Sequence, residues 1–433
     1  MKNSFDKILL MILALIINCF ELSSSSRNNT NAASPALNDV RVAISAAKPG
    51  DTVIVPEGTA TWSDQLTISK GIILKGAGAN KTIIKGNMSS DKYLVFYHPT
   101  SPALNEPFRI SGFTLDGDFK CNLLHVEQKS IYASDQVRID HNEFKNAAIR
   151  DVLIWGQIYG VADHNVIRHE HLPRNLSIQM VGSGQNTWTY HTFEFGSVNN
   201  FYWEDNEFNV IDSVAQIDDA GRYCFRYNTI NYTHPTQIFY TLFDCHGNQL
   251  GQLFAGPGCE VYENTVVSPY VTGYFYGFRG GKSLVYNNYI STPNGVVYGN
   301  YREEYDDNLI PYVPNNVISG QPQHVSDSYV WGNTFDQGTT FDINVNGTLP
   351  YGNPPVATPS ENIHYWRENA SFNGSSGIGV GPLSVRPSSG LIVGVGYWAT
   401  DTNALYRATS ATVWEKYYSP YTYPHPLTTM LAD

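Results

Sequence analysis

A short motif built around one asparagine recurs along the chain and limits its fold more than any other feature. The residue three before the asparagine is apolar in each copy, as in RIDHNEF (138–144) and LVYNNYI (284–290). Successive asparagines are 23, 41, 22, 36, 24, 45 and 36 residues apart, so three gaps match one period of 22–24. A repeat of this length indicates stacked supersecondary units. The asparagines are Asn142, Asn165, Asn206, Asn228, Asn264, Asn288, Asn333 and Asn369.

The repeat predicts an all-β solenoid. A short strand cannot bury its apolar face alone, but strands that stack on their counterparts one turn later bury a continuous core. We expect each asparagine to form a corner in the left-handed conformation, with its amide bonded to the amides of neighbouring turns. Successive hairpins of a propeller or sandwich are the alternative, but Asn-Gly and Asp-Gly hairpin turns are sparse. The pattern favours a right-handed parallel β-helix.

The stretch FRISGFTLDGD (108–118) and the DHN, EDN and YNN corners resemble the pectin-lyase-like superfamily of parallel β-helix proteins. The resemblance extends from about residue 40 to 370. Lyases, hydrolases, epimerases and non-catalytic adhesins all belong to this superfamily. The resemblance therefore implies the architecture and leaves the activity open.

The N-terminal residues have the pattern of a secretory signal. Lys2 and Lys7 accompany an apolar run from Ile8 to Ile17, and small polar residues follow. Lipid attachment at Cys19 is an alternative, although Asn18 before it is not the small residue that such sites require. No later stretch is long and apolar enough to span a bilayer. The sequence predicts a secreted protein, extracellular or periplasmic.

The two ends of the mature chain differ from the repeat. A short amphipathic helix, Val40 to Ala47, is expected to cover the open end of the solenoid. Beyond about residue 370 the sequence becomes rich in Gly, Ser and Pro. We therefore expect a signal peptide over 1–26, a parallel β-helix over 27–370, and an irregular capping tail over 371–433 that packs on the helix.

The formal net charge of −12, with only 15% charged residues, argues against nucleic acid and anionic membranes as partners. We expect a monomer whose partner is a polysaccharide. Four cysteines remain after the signal, too few to be the main framework of the fold. Cys224 and Cys245 are 21 residues apart, near one period, so a bridge between them is possible. Buried reduced cysteines are the alternative.

Extra charge accompanies the corners between residues 218 and 282. If the period holds, these residues stack on one flank of the solenoid. A strand end with an acid and an imidazole, DCHG (244–247), lies at the centre of this stretch. The candidate site residues are Asp218, Asp219, Arg222, Asp244, His246, Arg279 and Lys282.

Two types of reaction, β-elimination and hydrolysis, could use these candidate residues. Breaking a polyuronate by β-elimination needs a neutralised uronate carboxylate, a base and a proton donor. Calcium on Asp218, Asp219 and Asp244 could neutralise the carboxylate, or Arg279 could pair with it, with Arg222 as a further substrate-binding cation. Lys282 or His246 could then serve as the base. Glycosidic hydrolysis instead needs two carboxyl groups, which the same aspartates could supply.

The order Asp-Asp, His-Gly, then Arg with a nearby Lys resembles polygalacturonase-type hydrolases. His246 lacks the glycine that precedes the histidine in that family, and two glycines separate Arg279 from Lys282. The leading hypothesis is a lyase that cuts an acidic polysaccharide. The alternatives are a polygalacturonase-like hydrolase and a non-catalytic glycan-binding β-helix. Elsewhere, EEYDD (303–307) is expected to be a solvated loop, and the DHN corners are expected to be structural.

Overall fold

The computed structural model describes residues 27–169, 176–233, 241–248, 254–269, 273–304, 323–346 and 358–431. Over these ranges the chain is a right-handed parallel β-helix, as the asparagine period predicts. Each turn runs along a first, a second and a third sheet in that order. The predicted signal peptide, 1–26, lies outside the described residues.

Within the described ranges, the first sheet has twelve strands: β1 (Asn29–Asn31), β2 (Thr52–Ile54), β5 (Ile73–Lys75), β8 (Phe108–Ser111), β11 (Ser134–Asp140), β14 (Ile158–Asp163), β17 (Phe201–Glu204), β20 (Arg222–Arg226), β23 (Gly258–Tyr262), β26 (Lys282–Tyr286), β29 (Ser328–Trp331) and β32 (Tyr365–Arg367). The second sheet has ten: β3 (Gly58–Trp62), β6 (Thr82–Gly86), β9 (Phe113–Asp116), β12 (Glu143–Lys145), β15 (Val166–His169), β18 (Glu207–Val210), β21 (Thr229–Tyr232), β24 (Thr265–Val267), β27 (Tyr289–Ser291) and β30 (Thr334–Phe335). The third also has ten: β4 (Leu66–Ile68), β7 (Tyr93–Tyr97), β10 (Asn122–Gln128), β13 (Arg150–Gly156), β16 (Leu176–Val181), β19 (Ala215–Asp218), β22 (Thr241–Cys245), β25 (Gly273–Phe278), β28 (Val296–Arg302) and β31 (Thr340–Asn346).

The core is the inside of the coil, where apolar side chains from equivalent positions stack in columns. Each is buried, and removing such a side chain from water contributes about 1.5–3 kcal/mol. The apolar residue three before each asparagine from Asn142 to Asn333 belongs to such a column, which explains its place in the repeat. One column of the first sheet contains Leu74, Ile110, Ile139, Ala162, Trp203, Phe225, Val261, Val285 and Val330.

The asparagines from Asn142 to Asn333 form a buried ladder between the first and second sheets. The side-chain nitrogen of Asn206, for example, donates to the side-chain oxygen of Asn228 at 3.0 Å, and the backbone N–H of Asn206 donates to the same oxygen at 3.0 Å. Asn369 is outside the ladder and bonds to Ser376 instead. The stacked amides confirm the predicted ladder for the copies before Asn369.

The expectation that asparagine itself takes the left-handed conformation is wrong. The residue before it does so, with φ of 54° at His141, 57° at Asp205 and 55° at Glu263. The strain at that residue is offset because the following amide makes several hydrogen bonds inside the stack. The corner needs asparagine for its hydrogen bonds rather than for its backbone preference.

The N-terminal helix is present and begins earlier than predicted, as α1 (Leu37–Ala46). Its buried residues are Val40, Ala43 and Ile44, which pack on the first turn of the solenoid. Two further α-helices in the described residues are short, α2 (Gln185–Tyr190) and α3 (Leu427–Met430). Single 3₁₀ turns occupy Pro102–Leu104 and Leu383–Val385.

None of the described helices combines the length and apolar character that crossing a membrane requires.

The C-terminal tail is ordered into a small sheet, so the expectation of an irregular tail is wrong. The sheet packs over the outer face of the first sheet, where the Tyr418 hydroxyl donates to Glu260 Oε2 at 2.8 Å. Farther along, Arg226 Nη1 donates to the carbonyl of Tyr421 at 2.7 Å, and Arg138 Nη1 to that of Thr428 at 2.9 Å. The strands are β33 (Ile378–Gly381), β34 (Gly396–Ala399), β35 (Ala404–Ala408) and β36 (Trp414–Tyr418).

The four cysteines of the described chain are buried and reduced, so the Cys224–Cys245 bridge is not formed. Cys224 belongs to the first sheet, where its partners in register are Tyr202 and Glu260. Cys245 belongs to the third sheet, beside Ile217. Residues one period apart in sequence lie in different sheets here because the loops between strands vary in length.

Candidate active site

Charged side chains gather where four adjacent strands of the third sheet end. Asp218 is the last residue of β19, Asp244 lies near the end of β22, and His246 follows that strand. Arg279 directly follows β25, and Glu304 lies two residues beyond β28. Parallel strands end at the same edge of a sheet, so residues up to 86 positions apart in sequence become neighbours.

His246 lies between two carboxylates. Its Nδ1 is 3.5 Å from Oδ1 of Asp218, and its Nε2 is 3.1 Å from Oδ2 of Asp244. The imidazole is largely enclosed, with a side-chain exposure of 12%. One aromatic ring therefore connects two acids from neighbouring turns.

Arg279 fixes Asp244 from the other side. Its Nη2 and Nε bond to the two carboxylate oxygens at 2.5 and 3.2 Å, which is the bidentate geometry of strong arginine–carboxylate pairs. Its Nη1 donates to Glu304 Oε1 at 2.9 Å. Glu304 also accepts from the backbone N–H of Gly247 at 3.4 Å. Its side chain is 1% exposed, so it acts as a buried anchor for the guanidinium.

Two glutamines complete the surroundings of Asp218. Gln216 Nε2 donates to Asp218 Oδ1 at 3.1 Å, and Gln179 Nε2 donates to Oδ2. Gln216 Nε2 also lies 2.6 Å from His246 Nε2. These amides fix the orientation of the Asp218 carboxylate toward the groove.

The surroundings of Asp244 favour its ionised form. Burial raises the pKa of Asp244, but the charge of Arg279 and then that of His246 outweigh burial and bring the pKa to about 2. Asp244 therefore carries a negative charge at any pH near neutrality.

The surroundings of His246 favour the imidazolium. Burial lowers the pKa of His246, but the charge and hydrogen bond of Asp244, with a smaller contribution from Asp218, more than offset it. The pKa of His246 is therefore raised above its ordinary value. The protonated ring presents one N–H toward each of the two acids.

The cluster lies at one end of an open groove of about 520 Å³ along the outside of the third sheet. Gln179 and Asp218 line that end, and Tyr93, Phe96 and Trp155 line the part toward the N-terminal turns. One outward-facing row in register follows the groove into the cluster. It consists of Phe96, His125, Leu153, Gln179, Gln216 and Asp244.

Three predicted site residues lie apart from this cluster. Lys282 starts β26 in the first sheet, and its Nζ is 3.9 Å from Asp327 Oδ2. Arg222 is buried, and its Nη1 and Nη2 donate to the carbonyls of Asn199 and Thr187. Asp219 has φ 43° in the turn after β19 and accepts from the backbone N–H of Phe254 at 3.3 Å, although it also lines the groove.

The calcium hypothesis does not fit the placement of Asp218, Asp219 and Asp244. Both oxygens of Asp244 already accept hydrogen bonds from Arg279, and its charge is balanced by that guanidinium. Among the described residues, no three His, Cys, Asp or Glu side chains converge in a way that could hold a metal ion.

Sequence reasoning missed Glu304, Gln179 and Gln216. EEYDD was expected to be a solvated loop, which is wrong for Glu303 and Glu304 because both are buried. Residues 305–307 lie outside the described ranges. The two glutamines carry no sequence signal of their own, because only the strand register places them beside Asp218.

Other polar stretches have structural partners. Asp140 accepts two hydrogen bonds from buried Arg109, and Asp163 accepts two from Arg138, as expected for the DHN corners. His169 ends β15 and bonds to Asp151 at 2.8 Å.

A second cavity, of about 560 Å³, lies at the C-terminal end of the solenoid, where Phe335, Phe341 and Arg367 contribute to its lining. Its charged groups have partners, since Arg367 Nε donates to Glu361 at 3.0 Å and Glu368 accepts from the backbone N–H of Gly332 at 2.8 Å. Its described lining includes no imidazole. The third-sheet cluster is the stronger candidate.

No protein-family model matches the sequence, and no curated protein sequence matches it either. Among solved structures, a Geobacillus virus E2 protein (ORF18) is 13% identical, with a TM-score of 0.41 and coverage of 81% of this chain and 63% of its own. A Yersinia enterocolitica family 28 exopolygalacturonase is 12% identical, with a TM-score of 0.46 and coverage of 80% and 70%. An alginate lyase from a Paenibacillus species is 12% identical, with a TM-score of 0.31 and coverage of 73% and 99%. At these values the likeness carries no inference about function, and the fold stands on the strand pairing itself.

Proposed function

We propose that this protein is an exported enzyme that cleaves glycosidic bonds in a polysaccharide, and that it does so by hydrolysis. The observation that carries the proposal is the placement of two carboxylates on the two nitrogens of one imidazole, beside an open groove. Long grooves along a solenoid suit extended polymers, and aromatic rings in such a groove suit sugar rings.

The spacing of the two carboxylates is compatible with hydrolysis. The contacts of His246 with Asp218 and Asp244, together with the width of the ring, keep the contacting oxygens within about 9 Å of each other. Carboxyl pairs that cleave glycosidic bonds are about 5–5.5 Å apart in retaining enzymes and about 6.5–9.5 Å apart in inverting ones, and this upper limit admits both.

The proposed roles follow from the charges. Asp244 is ionised and takes a proton from the water that adds to the anomeric carbon. Asp218 gives a proton to the leaving oxygen as the bond between that oxygen and the anomeric carbon breaks. His246, protonated at both nitrogens, gives its Nδ1 proton to Asp218; Asp244 releases the proton it took to solvent, and the ring regains a proton at Nδ1 from solvent. Each turnover consumes one water and restores every group.

β-Elimination of an acidic glycan, the leading hypothesis from sequence, is our second candidate. The cations Lys92 and Arg150 in the groove favour a uronate substrate, which this reaction needs. Two observations count against it: Lys282 lies in another sheet, and the raised pKa of His246 favours the protonated ring, which cannot act as a base.

The test is a polysaccharide panel (pectate, alginate, glucuronan, hyaluronan, chondroitin and neutral glucans), with calcium or with a chelator. New reducing ends and the ultraviolet absorbance of unsaturated uronates are followed together. We expect reducing ends without absorbance and without a calcium requirement. Asp244→Asn should lower the rate about a hundredfold or more, in the range of general acid–base catalysis. Protein recovered from the medium should lack residues 1–26 by mass.

The matched control is Asp336→Asn, because Asp336 accepts hydrogen bonds from Tyr289 and Ser291 on the second-sheet side of the solenoid. It should retain activity. Absorbance rising with the reducing ends would replace hydrolysis by elimination. Equal activity in Asp244→Asn and wild type, or no cleavage of any polymer, would reject this cluster as a catalytic site.

A further inference from the structure

The part of the groove N-terminal to the cluster has features that the proposed chemistry does not use. Its floor belongs to β7, β10 and β13, three successive turns of the third sheet. Neighbouring strands are about 4.8 Å apart, close to the length of one sugar unit in a chain. A glycan lying across the strands would therefore advance by about one turn per sugar toward Asp244.

Aromatic rings form the floor of this part. The His125 ring centroid is 4.7 Å from that of Phe96, 4.9 Å from that of Tyr93 and 6.1 Å from that of Trp155. Lys129 Nζ lies 3.5 Å from the Trp155 ring centroid, which holds the indole in place. Flat apolar faces with a few polar edges are the usual contacts for the C–H faces of sugar rings.

A cation with unsatisfied bonding capacity lies beside this floor. Arg150, the first residue of β13, makes no ion pair with any carboxylate in the described part of the chain. Its Nε is buried and has no hydrogen-bond partner there, while its guanidinium also interacts with the Tyr93 hydroxyl. Arg150 also lines the groove, so a ligand carboxylate there could accept hydrogen bonds from the accessible part of its guanidinium.

The neighbouring charges leave this part of the groove cationic. Glu127 is paired with Lys129 Nζ at 2.9 Å and with His98 Nδ1 at 3.3 Å. Lys92 lines the groove and lies 3.9 Å from Asp91, at the edge of ion-pair distance, with both side chains more than half exposed. The local balance is therefore positive although the chain carries a net charge of −12.

We propose that this segment, lined by Tyr93, Phe96, His125, Arg150 and Trp155, binds a carboxylate-bearing glycan. Sugar rings lie on the aromatic floor, and a uronate carboxylate accepts hydrogen bonds from Arg150, with Lys92 as a second cation. The inference rests on the proposed function for the direction of the chain toward Asp244, and it assigns that function an acidic substrate.

The experiment measures binding apart from cleavage, in the full chain with Asp244→Asn as background. The probes are hexamers of galacturonate, mannuronate and guluronate, each compared with its carboxyl-reduced neutral counterpart by isothermal titration calorimetry. We expect at least one acid hexamer to bind tenfold or more tighter than its counterpart. Arg150→Gln should remove this preference while leaving the affinity for the neutral hexamer within about twofold. Trp155→Ala should weaken both.

The control is Arg168→Gln, because Arg168 lies on the second sheet and pairs with Glu143. It should bind as the background does, and circular dichroism checks that each variant is folded. Equal affinity for every acid–neutral pair, or equal binding by the Arg150→Gln and Arg168→Gln variants, would overturn the proposal. Neither result depends on turnover, so the binding site can fail while the hydrolase stands, and the hydrolase can fail while the binding site stands.

Discussion

Asp244 owes its charge and position to residues from three turns of the solenoid. His246 is a near neighbour in sequence, whereas Arg279 and Glu304 follow the next two strands of the third sheet. Burial raises the pKa of this carboxyl, and the guanidinium, with His246, more than offsets that effect. The charge state of the site is therefore a property of the stacking and is absent from any single turn.

The pKa of His246 should fall when either neighbouring carboxylate is neutralised. Asp244→Asn removes the larger favourable contribution to the imidazolium and Asp218→Asn a smaller one, so both variants should titrate below wild type, with Asp244→Asn the lower. The raised folded-state pKa stabilises the fold below the unfolded-state pKa, and this contribution is lost as pH rises through the folded pKa. Two-dimensional NMR of the imidazole nitrogens measures the titration directly.

Asp342→Asn is the control for this titration. Asp342 is an exposed residue of β31 that lies 3.5 Å from Arg367, away from His246. It should leave the His246 titration where it is in wild type. A His246 pKa that does not move in either Asp218→Asn or Asp244→Asn would contradict the proposed proton path.

At the scale of the element, the asparagine ladder joins each turn of the solenoid to its neighbours by hydrogen bonds. A single buried amide bonds to the amides above and below and to backbone carbonyls. Asn228, for instance, donates to Asn264 at 2.9 Å and to the carbonyls of Trp203 and Arg226. Its oxygen accepts from the turn before. One residue thus joins three successive turns.

Asn228→Ala should lower the free energy of unfolding by about 3 kcal/mol or more, because it leaves several buried backbone groups unpaired at about 1–3 kcal/mol each. Asn231→Ala is the matched control in the same turn, since Asn231 makes a single side-chain bond to Asn209 at 3.1 Å. It should cost less than about 1 kcal/mol. Denaturant unfolding measures both, and equal losses would show that the ladder does not stabilise the stack.

The elements that sequence could predict are those repeated from turn to turn. Asparagine with an apolar residue three before it is a local pattern that recurs at the seven corners from Asn142 to Asn333, whereas Gly112 alone joins β8 to β9. The left-handed residue before the asparagine could not be predicted, because its identity varies from His141 to Tyr227 to Glu263. Its conformation is imposed by the stack rather than by its own preference.

The candidate site could be predicted only in part for the same reason. Asp218, Asp244, His246 and Arg279 meet because each ends a strand of the third sheet. Lys282 is only three residues from Arg279, but the chain turns from the third sheet into the first between them. Glu304 lies beyond a strand whose end the sequence does not mark. Because the loops between strands differ in length, the sequence does not show which residues of successive turns lie side by side.

At the scale of the whole molecule, the tail covers the aromatic outer face of the first sheet. Tyr286 and Trp331 stack there with ring centroids 4.3 Å apart, and Trp398 of the tail lies 5.1 Å from Trp331. Exposed, such a face would promote association. The tail is therefore needed for the monomer that we expect.

Tyr418→Phe should weaken this cover. The Tyr418 hydroxyl bonds to Glu260 and to the Tyr286 hydroxyl, so its loss leaves the buried Glu260 short of a donor and should cost about 1–3 kcal/mol of unfolding free energy. Tyr406→Phe is the control, since the Tyr406 hydroxyl makes no hydrogen bond in the described chain, and it should be neutral.

Removing 371–433 should convert the monomer to larger species in light scattering. A monomeric truncation product would contradict the covering role.

The tail also returns to where the described chain begins: Arg27 Nη2 donates to the carbonyl of Met430 at 3.4 Å. The solenoid thus lies between two ends that meet, and its turns are spanned lengthwise by the tail from Arg138 to Tyr329. A pulling force applied between these ends would act first on the tail, and the contacts between the tail and the solenoid would break one after another. The stacked turns would bear load only after the tail had been peeled away.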